Sequence, residues 1–319
     1  MMEIDPGFRE FKFKSEVRSK QYEQYRAAWK EWPETGRAGK YPLHIDLEVT
    51  NRCNLKCPFC IREADKNMAI GDMDFNMACD VLDQCFQKVP SVKFNWRGEP
   101  TLYKKLPQLI RKAKENDFLE TAINTNGTKL DPAMFSYLHD MGLDRIIISV
   151  DSHIKESYEE QRVGASYDEV MKNIRDAVAT KSKNCWIRPY IRVQKVDLPS
   201  LRHENDDYVR FFHKIGVDSV AINTYKNKDP TKVDWDPLPC AQPFQRMLIA
   251  WNGDVYPCCQ GHNFPSIGNV KETSIKDLWN GPTMRRLRLV HSKGQQKSIP
   301  QCRACETTMP VETMNGDGE

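Results

Sequence analysis

The feature that most constrains this chain is a repeated alternation of apolar strand patterns with amphipathic helix patterns between residues 41 and 226. The predicted strands are HIDLEVT, VKFNW, TAINTN, RIIISV, WIRPYIRVQ and VDSVAINT. The intervening helices are predicted over MACDVLDQCFQKV, LPQLIRKAKEN, PAMFSYLHDMG, YDEVMKNIRDAVA and YVRFFHKIG. Such alternation indicates parallel βα units joined by right-handed crossovers. Because six units fall short of the eight in a closed barrel, the sequence predicts an α/β fold with a partial (β/α)6 TIM-like barrel.

Composition changes divide the rest of the chain. The charged and aromatic N-terminal stretch contains VRSKQYEQYRAAWKEW, which predicts a helix that ends at Pro33. After the barrel, MLIAWNGDVYPCC predicts a hairpin with a type I′ turn at Asn252-Gly253. The predicted organisation is an N-terminal helical extension at 1–40, the barrel at 41–226, a proline-rich linker at 227–239, a small α+β domain at 240–310 and a disordered tail at 311–319.

Charge and hydropathy exclude several classes of protein. The formal net charge of +3 leaves no large polybasic surface for nucleic acid. No window approaches the roughly 18 apolar residues of a membrane span, and the first residues lack the apolar run of a signal peptide. We therefore expect a cytoplasmic protein that binds neither nucleic acid nor a membrane. Its eleven cysteines are then expected to be thiols and not disulfides.

Three of these cysteines crowd into CNLKCPFC, directly after the first predicted strand. The carboxyl ends of barrel strands are where such folds carry their chemistry. Cys53, Cys57 and Cys60 suit zinc or an iron–sulfur cluster, because thiolates bind both. A structural zinc site needs four protein ligands, whereas three thiolates on a four-iron cluster leave one iron open. The loop by itself leaves both a cluster and a zinc site with a distant fourth ligand possible.

The spacing CxxxCxxC, with Phe59 before the last cysteine, resembles the motif of the radical S-adenosylmethionine (radical SAM) enzymes. The resemblance implies that Cys53, Cys57 and Cys60 hold a 4Fe–4S cluster whose free iron chelates SAM. It also implies reductive cleavage of SAM to a 5′-deoxyadenosyl radical, which abstracts a hydrogen atom from a carbon of the substrate.

Three further segments are similar to motifs of that family. FNWRGEPTL resembles the GGEP motif, with Arg97 in place of the first glycine, so no SAM role is assigned to Arg97. ISVDS and QRVGASYDEV resemble two other segments that contact SAM. A helix cap at Asp151 and a surface charge at Arg162 are the alternatives. By resemblance, the residues expected to contact SAM are Phe59, Gly98, Glu99, Ser149, Asp151 and Arg162.

A second group of cysteines lies in the small C-terminal domain. The spacing of Cys240, Gly253 and Cys258 resembles the opening of the SPASM domain, or of its shorter "twitch" form, which many radical SAM enzymes carry. Cys302 and Cys305 would complete four ligands for one auxiliary 4Fe–4S cluster. A four-cysteine zinc knuckle is the alternative. The expected cofactors are therefore two 4Fe–4S clusters and SAM.

Cys259 is left over when these four ligands are counted. Adjacent side chains of an extended segment point in opposite directions, so Cys258 and Cys259 do not easily bind one cluster. Three interpretations stay open: a buried thiol, the true ligand in place of Cys258, or a catalytic hydrogen-atom donor to the substrate.

The resemblance implies hydrogen abstraction from a small polar substrate that is sugar-like, aminocyclitol-like or nucleoside-like. The auxiliary cluster favours a two-electron oxidation, and a flavodoxin or ferredoxin would supply electrons. The alternatives are a radical epimerase that uses Cys259 and a maturase of a ribosomally made peptide; a non-catalytic zinc-binding protein is a weaker third. Strand alternation in WIRPYIRVQ places four polar residues on one face, where they either anchor the substrate or form outer salt bridges: Arg188, Tyr190, Arg192 and Gln194.

Overall fold

A computed structural model of the chain describes residues 16–65, 67–224, 240–261, 264–303 and 305. The predicted linker at 227–239 and the predicted tail at 311–319 lie outside the described residues. Within the described ranges, no helix is long and apolar enough to cross a membrane.

The described strands form one sheet. In chain order they are β1 (His44–Leu47), β2 (Ser91–Lys93), β3 (Glu120–Thr125), β4 (Arg145–Ser149), β5 (Tyr190–Asp197), β6 (Ser219–Thr224), β7 (Arg246–Ile249) and β8 (Val255–Tyr256). Their spatial order is β6-β5-β4-β3-β2-β1-β7-β8. All neighbouring strands run parallel except β7 and β8, which are antiparallel. The six parallel strands of the predicted partial barrel are thus confirmed.

The predicted barrel helices are also present. The helices are α1 (Glu16–Thr35), α2 (Ile61–Ala64), α3 (Phe75–Gln84), α4 (Leu106–Glu115), α5 (Pro132–Asp140), α6 (Lys155–Gln161), α7 (Tyr167–Lys183), α8 (Asn205–Ile215), α9 (Gln242–Gln245), α10 (Ile275–Trp279), α11 (Pro282–Ser292) and α12 (Pro300–Arg303). The five helices expected between the strands are α3, α4, α5, α7 and α8. The short α6 was not predicted, and it leads directly into one of the segments that resemble SAM-binding motifs.

The sheet separates apolar from polar side chains. In β1, Ile45 and Leu47 belong to the main hydrophobic core together with helix residues such as Leu82. His44 and Asp46 alternate with them and are buried polar residues. Because successive side chains of a strand point to opposite faces, the face away from the helices is polar. We call this polar side of the sheet the inner face.

The C-terminal region joins the barrel sheet directly. β7 pairs with the free edge of β1, with His44 opposite Arg246 and Leu47 opposite Ile249. The first strand of the predicted domain at 240–310 therefore continues the barrel's hydrogen bonding. The inner face of β7 is therefore continuous with that of β1.

Helix α1 covers the end of the sheet at which the parallel strands begin, next to the first residue of β1. Tyr22 and Tyr25 form a small buried cluster, and Trp29 packs against it. The Trp29 ring lies 6.0 Å from the His44 ring, at the start of β1. Since the cysteine loop follows the other end of β1, α1 closes the side of the barrel opposite the site.

The prediction that α1 ends at Pro33 was wrong, because the helix continues to Thr35. Proline cannot donate the helical hydrogen bond to the carbonyl four residues earlier, which is that of Trp29. In the structure, the Gln245 side chain donates to the Trp29 carbonyl oxygen at 2.6 Å. A tertiary contact thus satisfies the acceptor that Pro33 leaves without a helical partner.

The predicted hairpin at Asn252-Gly253 is confirmed, but its type I′ turn is not. Such a turn needs positive φ at both central residues. Only Gly253 has it, with φ +94°. The Gly253 N–H donates to the Ala250 carbonyl at 2.9 Å, and the Ala250 N–H donates to the Asp254 carbonyl at 2.8 Å. This pattern is a three-residue loop that ends in a left-handed glycine.

The start of the fifth strand was also predicted too early. β5 begins at Tyr190, so Arg188 precedes it. The Arg188 guanidinium forms an ion pair with Asp144, at the start of β4. Arg188 therefore lies at the end of the sheet where the strands begin, as α1 does. The cysteine loop lies at the opposite end, so Arg188 does not anchor a substrate at the barrel mouth.

The packing of α1 gives a stability prediction. Tyr25 is 4% exposed, so Tyr25→Ala should destabilise the protein by about 3 kcal/mol, as is usual when a buried aromatic side chain is truncated. Urea unfolding measures this loss. Tyr137→Ala is the matched control, since Tyr137 is 42% exposed. Equal midpoints for the two variants would show that α1 does not contribute to the folded core.

Candidate functional site

The three cysteines of CNLKCPFC lie together in the loop between β1 and α2. Cys57 is buried, while Cys53 and Cys60 are partly exposed. The Cys60 N–H donates to the Cys57 carbonyl at 3.0 Å, which folds the loop back on itself. Burial raises the pKa of Cys57 to about 11, and Cys57 also interacts electrostatically with Cys53 and Cys60. The three thiols thus share one short loop, although their sulfurs, like the other such side chains of the described residues, are not arranged to hold a single metal ion.

Gly98 allows a neighbouring loop to pack against the start of the cysteine loop. It has φ +71°, and a Cβ atom at this position would lie 2.6 Å from the Thr50 carbonyl oxygen. The next residue, Glu99, donates its N–H to the Arg52 carbonyl at 2.7 Å. Only glycine suits both the backbone angle and this approach. Gly98 therefore allows the loop after β2 to approach the cysteine loop closely enough for the Glu99–Arg52 hydrogen bond.

The Glu99 carboxylate is buried and hydrogen-bonded. Its Oε1 accepts from the Thr101 N–H at 3.1 Å, the Thr101 hydroxyl at 2.6 Å and the Thr125 hydroxyl at 2.7 Å. Its Oε2 accepts from the Asn126 N–H at 2.7 Å. Burial raises the pKa of Glu99, and these donors offset only part of that shift. Three of the four donors contact Oε1, so Oε2, with a single donor, is the oxygen that has a lone pair left for another.

Asp151 and Arg162 form a buried ion pair beside the cysteine loop. The Arg162 Nε lies 2.5 Å from the Asp151 Oδ2, and the Val196 N–H donates to the Asp151 Oδ1 at 3.0 Å. The guanidinium lies 5.4 Å from the centre of the Phe59 ring. Neither alternative from the sequence is correct, because Asp151 caps no helix and the Arg162 side chain is only 12% exposed.

A backbone contact ties this segment to the cysteines, since the Lys56 N–H donates to the Val163 carbonyl at 2.9 Å. Ser149 ends β4 opposite Gln194 of β5. The predicted SAM contacts thus come from the cysteine loop itself and from three other segments, two of which, those of Glu99 and Arg162, contact that loop directly.

Sequence reasoning missed Glu48, which lies directly after β1 and is fully buried. The Arg97 Nε donates to its Oε1 at 2.7 Å, and the Arg97 Nη2 donates to its Oε2 at 2.8 Å. The Trp251 N–H also approaches Oε2, at 3.3 Å. The arginine that departs from the family motif is therefore a bidentate partner of Glu48. Arg97 in place of the motif's glycine was the available signal in the sequence, because an arginine that becomes buried needs a carboxylate partner.

Trp96 connects the same loop to the C-terminal region. Its indole N–H donates to the Cys259 carbonyl at 2.9 Å, and its ring centre lies 5.5 Å from that of Tyr256. The Arg97 guanidinium stacks 3.9 Å from the Trp96 ring centre. The residues after β2 thus contact both the cysteine loop and the chain around Cys258 and Cys259.

The C-terminal cysteines surround a cavity. Burial raises the pKa of the Cys240 thiol and that of the Cys302 thiol to about 12 each. Within the described part of the chain, no group of three or more His, Cys, Asp or Glu side chains is arranged to hold a metal ion. Thiols spread around a cavity fit a cluster, which has an iron at each of several corners, better than a single zinc ion. The cysteines that line the cavity are Cys240, Cys258, Cys302 and Cys305.

Cys259 does not line this cavity. Burial lowers the pKa of Arg246 on β7, but the negative charges of Asp46 and of a Cys259 thiolate raise it overall. Cys259 thus interacts electrostatically with Arg246, and also with the cavity thiols Cys240 and Cys258. The extended segment expected at Cys258 and Cys259 is not present, because β8 ends at Tyr256 and the two cysteines lie in a bend and a turn.

His291 of α11 lines the same cavity and was also missed by the sequence analysis. Its Nε2 lies 3.5 Å from the Cys302 sulfur. Its Nδ1 is buried and has no hydrogen-bond partner among the described residues. Burial lowers the pKa of His291 to about 4, so the ring is neutral at pH 7. Its position in the basic helix MRRLRLVH gave no signal of this role.

The Glu48–Arg97 pair gives a second prediction. Arg97→Met should destabilise the protein by about 3 kcal/mol, because it leaves a buried carboxylate without its cationic partner. Adding Glu48→Gln should restore part of that loss, since the orphaned charge is then gone. Urea unfolding of both single variants and the double variant measures the coupling. Lys172→Met, which breaks an exposed pair with Asp176, should have no measurable effect. Purely additive losses would contradict the pairing.

Two family models match the chain. The model of the radical SAM superfamily matches residues 47–192, and the iron–sulfur cluster-binding domain named SPASM matches residues 240–306. The first match contains the cysteine loop and the second contains the C-terminal cavity.

Similar curated proteins include the tungsten-containing aldehyde ferredoxin oxidoreductase cofactor-modifying protein of Pyrococcus furiosus. It is 24% identical over 324 residues, which cover 81% of this chain and 86% of the relative. A probable GTP 3′,8-cyclase of Methanococcus maripaludis is 31% identical over 148 residues, which cover 44% of this chain. The chain spans about half of that cyclase, 47% of its length.

Two solved structures show the same fold. BtrN in complex with AdoMet and 2-DOIA has a TM-score of 0.58 at 19% identity, with 82% of this chain and 92% of BtrN covered. SuiB of Streptococcus suis bound to S-adenosylmethionine has a TM-score of 0.61 at 17% identity, with 92% of this chain and 78% of SuiB covered. The cofactors of such proteins are SAM, the 4Fe–4S cluster that radical SAM chemistry needs, and the auxiliary iron–sulfur cluster that a SPASM domain binds. The chain belongs to the radical SAM superfamily and carries a SPASM domain.

Proposed function

We propose that the protein oxidises a carbon of a small polar substrate by two electrons, after a hydrogen atom has been abstracted from that carbon. The observation that carries this proposal is the cavity lined by Cys240, Cys258, Cys302 and Cys305. Four thiolates complete the protein ligation of one 4Fe–4S cluster. Such a cluster has no open iron to bind substrate, so its contribution is to exchange an electron.

The thiols of Cys53, Cys57 and Cys60 would hold the other cluster, with its fourth iron left to SAM. When bound, SAM and this cluster supply hydrogen-abstracting radical chemistry, and the auxiliary cluster supplies an acceptor for the second electron. The support for this is that the loop carries three thiols, no fourth cysteine lies within it, and the match to the radical SAM model includes it.

The residues around the cysteine loop would bind and orient SAM. Glu99 Oε2 retains the capacity to accept one hydrogen bond, which suits an ammonium group. Arg162 would contact the SAM carboxylate, and its pairing with Asp151 fixes the guanidinium in place before SAM arrives. Phe59 packs beside it. Ser149 ends β4 and Asp151 follows it, at the carboxyl end of the strand, where a SAM ribose would be bound.

The inner face supports a polar substrate. Asn124 of β3 has a buried amide oxygen with no hydrogen-bond partner in the described part of the chain. A substrate hydroxyl or ammonium group can donate to it. Arg192 and Gln194 of β5 lie on the polar face, because Ile191 and Val193 between them are buried in the core. A sugar-like or aminocyclitol-like molecule offers a hydroxyl or ammonium donor for the Asn124 oxygen and acceptors for the side chains of β5.

A radical epimerase is the second candidate function. Cys259 does not line the auxiliary cavity, so its thiol is not needed as a cluster ligand. A thiol in that position can return a hydrogen atom to a substrate carbon from the opposite side. A peptide maturase is the third, since SuiB, whose structure was also determined with the precursor peptide SuiA, shares the fold.

The remaining features of the proposal come from the sequence. An external electron donor such as flavodoxin or ferredoxin would reduce the cluster at Cys53, Cys57 and Cys60. A cytoplasmic location suits these reduced thiols, because disulfides do not persist there.

The cluster assignment predicts the behaviour of a variant in which Cys53, Cys57 and Cys60 are all replaced by alanine. It should fold, bind about four irons in place of about eight, and release no 5′-deoxyadenosine from SAM under reducing conditions. Iron and sulfide analysis after anaerobic reconstitution, with chromatography of the products, measures both. Cys185→Ser, at an exposed thiol, is the control and should match the wild type. Normal 5′-deoxyadenosine release by the triple variant would refute the assignment.

The reaction type predicts the mass of the product. With a panel of sugars, aminocyclitols, nucleosides and short peptides, oxidation should give a product lighter by two hydrogens from a small polar compound. Mass spectrometry separates this from epimerisation. In ordinary water an epimerised product has the same mass as the substrate, and in heavy water it carries one deuterium. An epimerised product that disappears in Cys259→Ser would replace oxidation with the second candidate. Turnover of peptides alone would favour the third.

A further inference from the structure

We propose that His291 donates a hydrogen bond to the Cys302 ligand of the auxiliary cluster and thereby raises the reduction potential of that cluster. The inference rests on the proposed function, because it takes the four-thiol cavity as the cluster site. It assigns a role to a buried histidine that neither the cysteine motif nor the SPASM resemblance included.

The geometry of His291 places one ring nitrogen at the cluster site. His291 lies in the last turn of α11 and is 1% exposed. Its Nε2 is 3.5 Å from the Cys302 sulfur, within the range of a hydrogen bond to sulfur, which is longer than one to oxygen. Leu287, one turn earlier on the same helix, and Phe264 line the cavity beside it. The ring is thus held at this sulfur by apolar neighbours.

Cluster binding decides which nitrogen carries the proton. A free Cys302 thiol can donate to an unprotonated Nε2, but an iron-bound thiolate has no proton and can only accept. A neutral imidazole has one N–H. The contact with the ligated sulfur therefore requires the tautomer with hydrogen on Nε2. The opposite nitrogen, Nδ1, is buried without a partner among the described residues, so no competing contact holds the proton there.

An N–H donor at a ligand sulfur changes the redox equilibrium of a cluster. Reduction adds one electron and makes the cluster and its sulfurs more negative, so the hydrogen bond stabilises the reduced form more than the oxidised form. The potential rises as a result. In the proposed oxidation, a higher potential makes the auxiliary cluster a better acceptor for the electron that the substrate loses.

The test compares two replacements in the full-length protein with both clusters loaded. His291→Leu removes the donor and keeps a side chain of similar volume. His291→Gln keeps an amide N–H that can reach the Cys302 sulfur. Leu287→Ile is the packing control, since it changes the same wall of the cavity without changing a donor. Reductive titration followed by electron paramagnetic resonance measures each potential, and the auxiliary cluster is the one whose signal does not change when SAM is added.

We expect His291→Leu to shift the reduction equilibrium of the auxiliary cluster about tenfold toward the oxidised form, which is about 59 mV for one electron. His291→Gln should lie closer to the wild type, and Leu287→Ile should match it. The potential of the other cluster should stay the same in all four proteins.

Two outcomes would overturn the inference alone. An unchanged potential in His291→Leu would show that the nitrogen does not act on the cluster. Loss of the auxiliary cluster from folded His291→Leu and His291→Gln alike would make His291 a ligand instead of a donor. If the wild-type protein itself held only the cluster that responds to SAM, the proposed four-thiol site would fail, and the inference would fail with it.

Discussion

Strand β1 is hydrogen-bonded along both edges, to β2 on one side and to β7 on the other, and the arrangement of the site depends on this double pairing. The cysteine loop leaves the sheet at the end of β1, between the loop after β2 and the β7–β8 hairpin. Glu48 sits at that point, and its N–H donates to the Ile249 carbonyl at 2.8 Å. Its carboxylate then binds Arg97 and approaches the Trp251 N–H. One buried carboxylate thus joins the two matched domains.

Two buried ion pairs lie around the cysteine loop. They fix the conformation of the segments that carry them more than they stabilise the folded protein. Removing charges from water costs about as much as pairing them returns, so Glu48–Arg97 and Asp151–Arg162 add little net stability. Each pair instead fixes a segment that would otherwise have several conformations. For a site that must hold a cluster and SAM in one arrangement, such preorganisation avoids ordering the loops when the ligands bind.

The two groups of thiols are physically connected through the loop after β2. Arg97 stacks on Trp96, and the Trp96 indole donates to the Cys259 carbonyl. Of the two cysteines that follow β8, Cys258 lines the four-thiol cavity and Cys259 does not. This short stretch therefore links the loop after β2 to the proposed cluster site. His291 lines the same cavity, beside Cys302.

The sequence determined the parallel barrel, the cysteine loop after β1 and the identity of the C-terminal thiols, because periodicity and short spacings are local properties. It also predicted the hairpin, although it gave the wrong turn type, since only Gly253 and not Asn252 has a positive φ. It did not reveal that β7 pairs with β1, that Glu48 binds Arg97, or that His291 reaches Cys302. Helix α1 likewise extends two residues beyond Pro33, and there the distant Gln245 side chain donates to the Trp29 carbonyl the hydrogen bond that Pro33 cannot. Those contacts join residues far apart in the chain, and only the tertiary structure decided which distant partner each buried polar group would find.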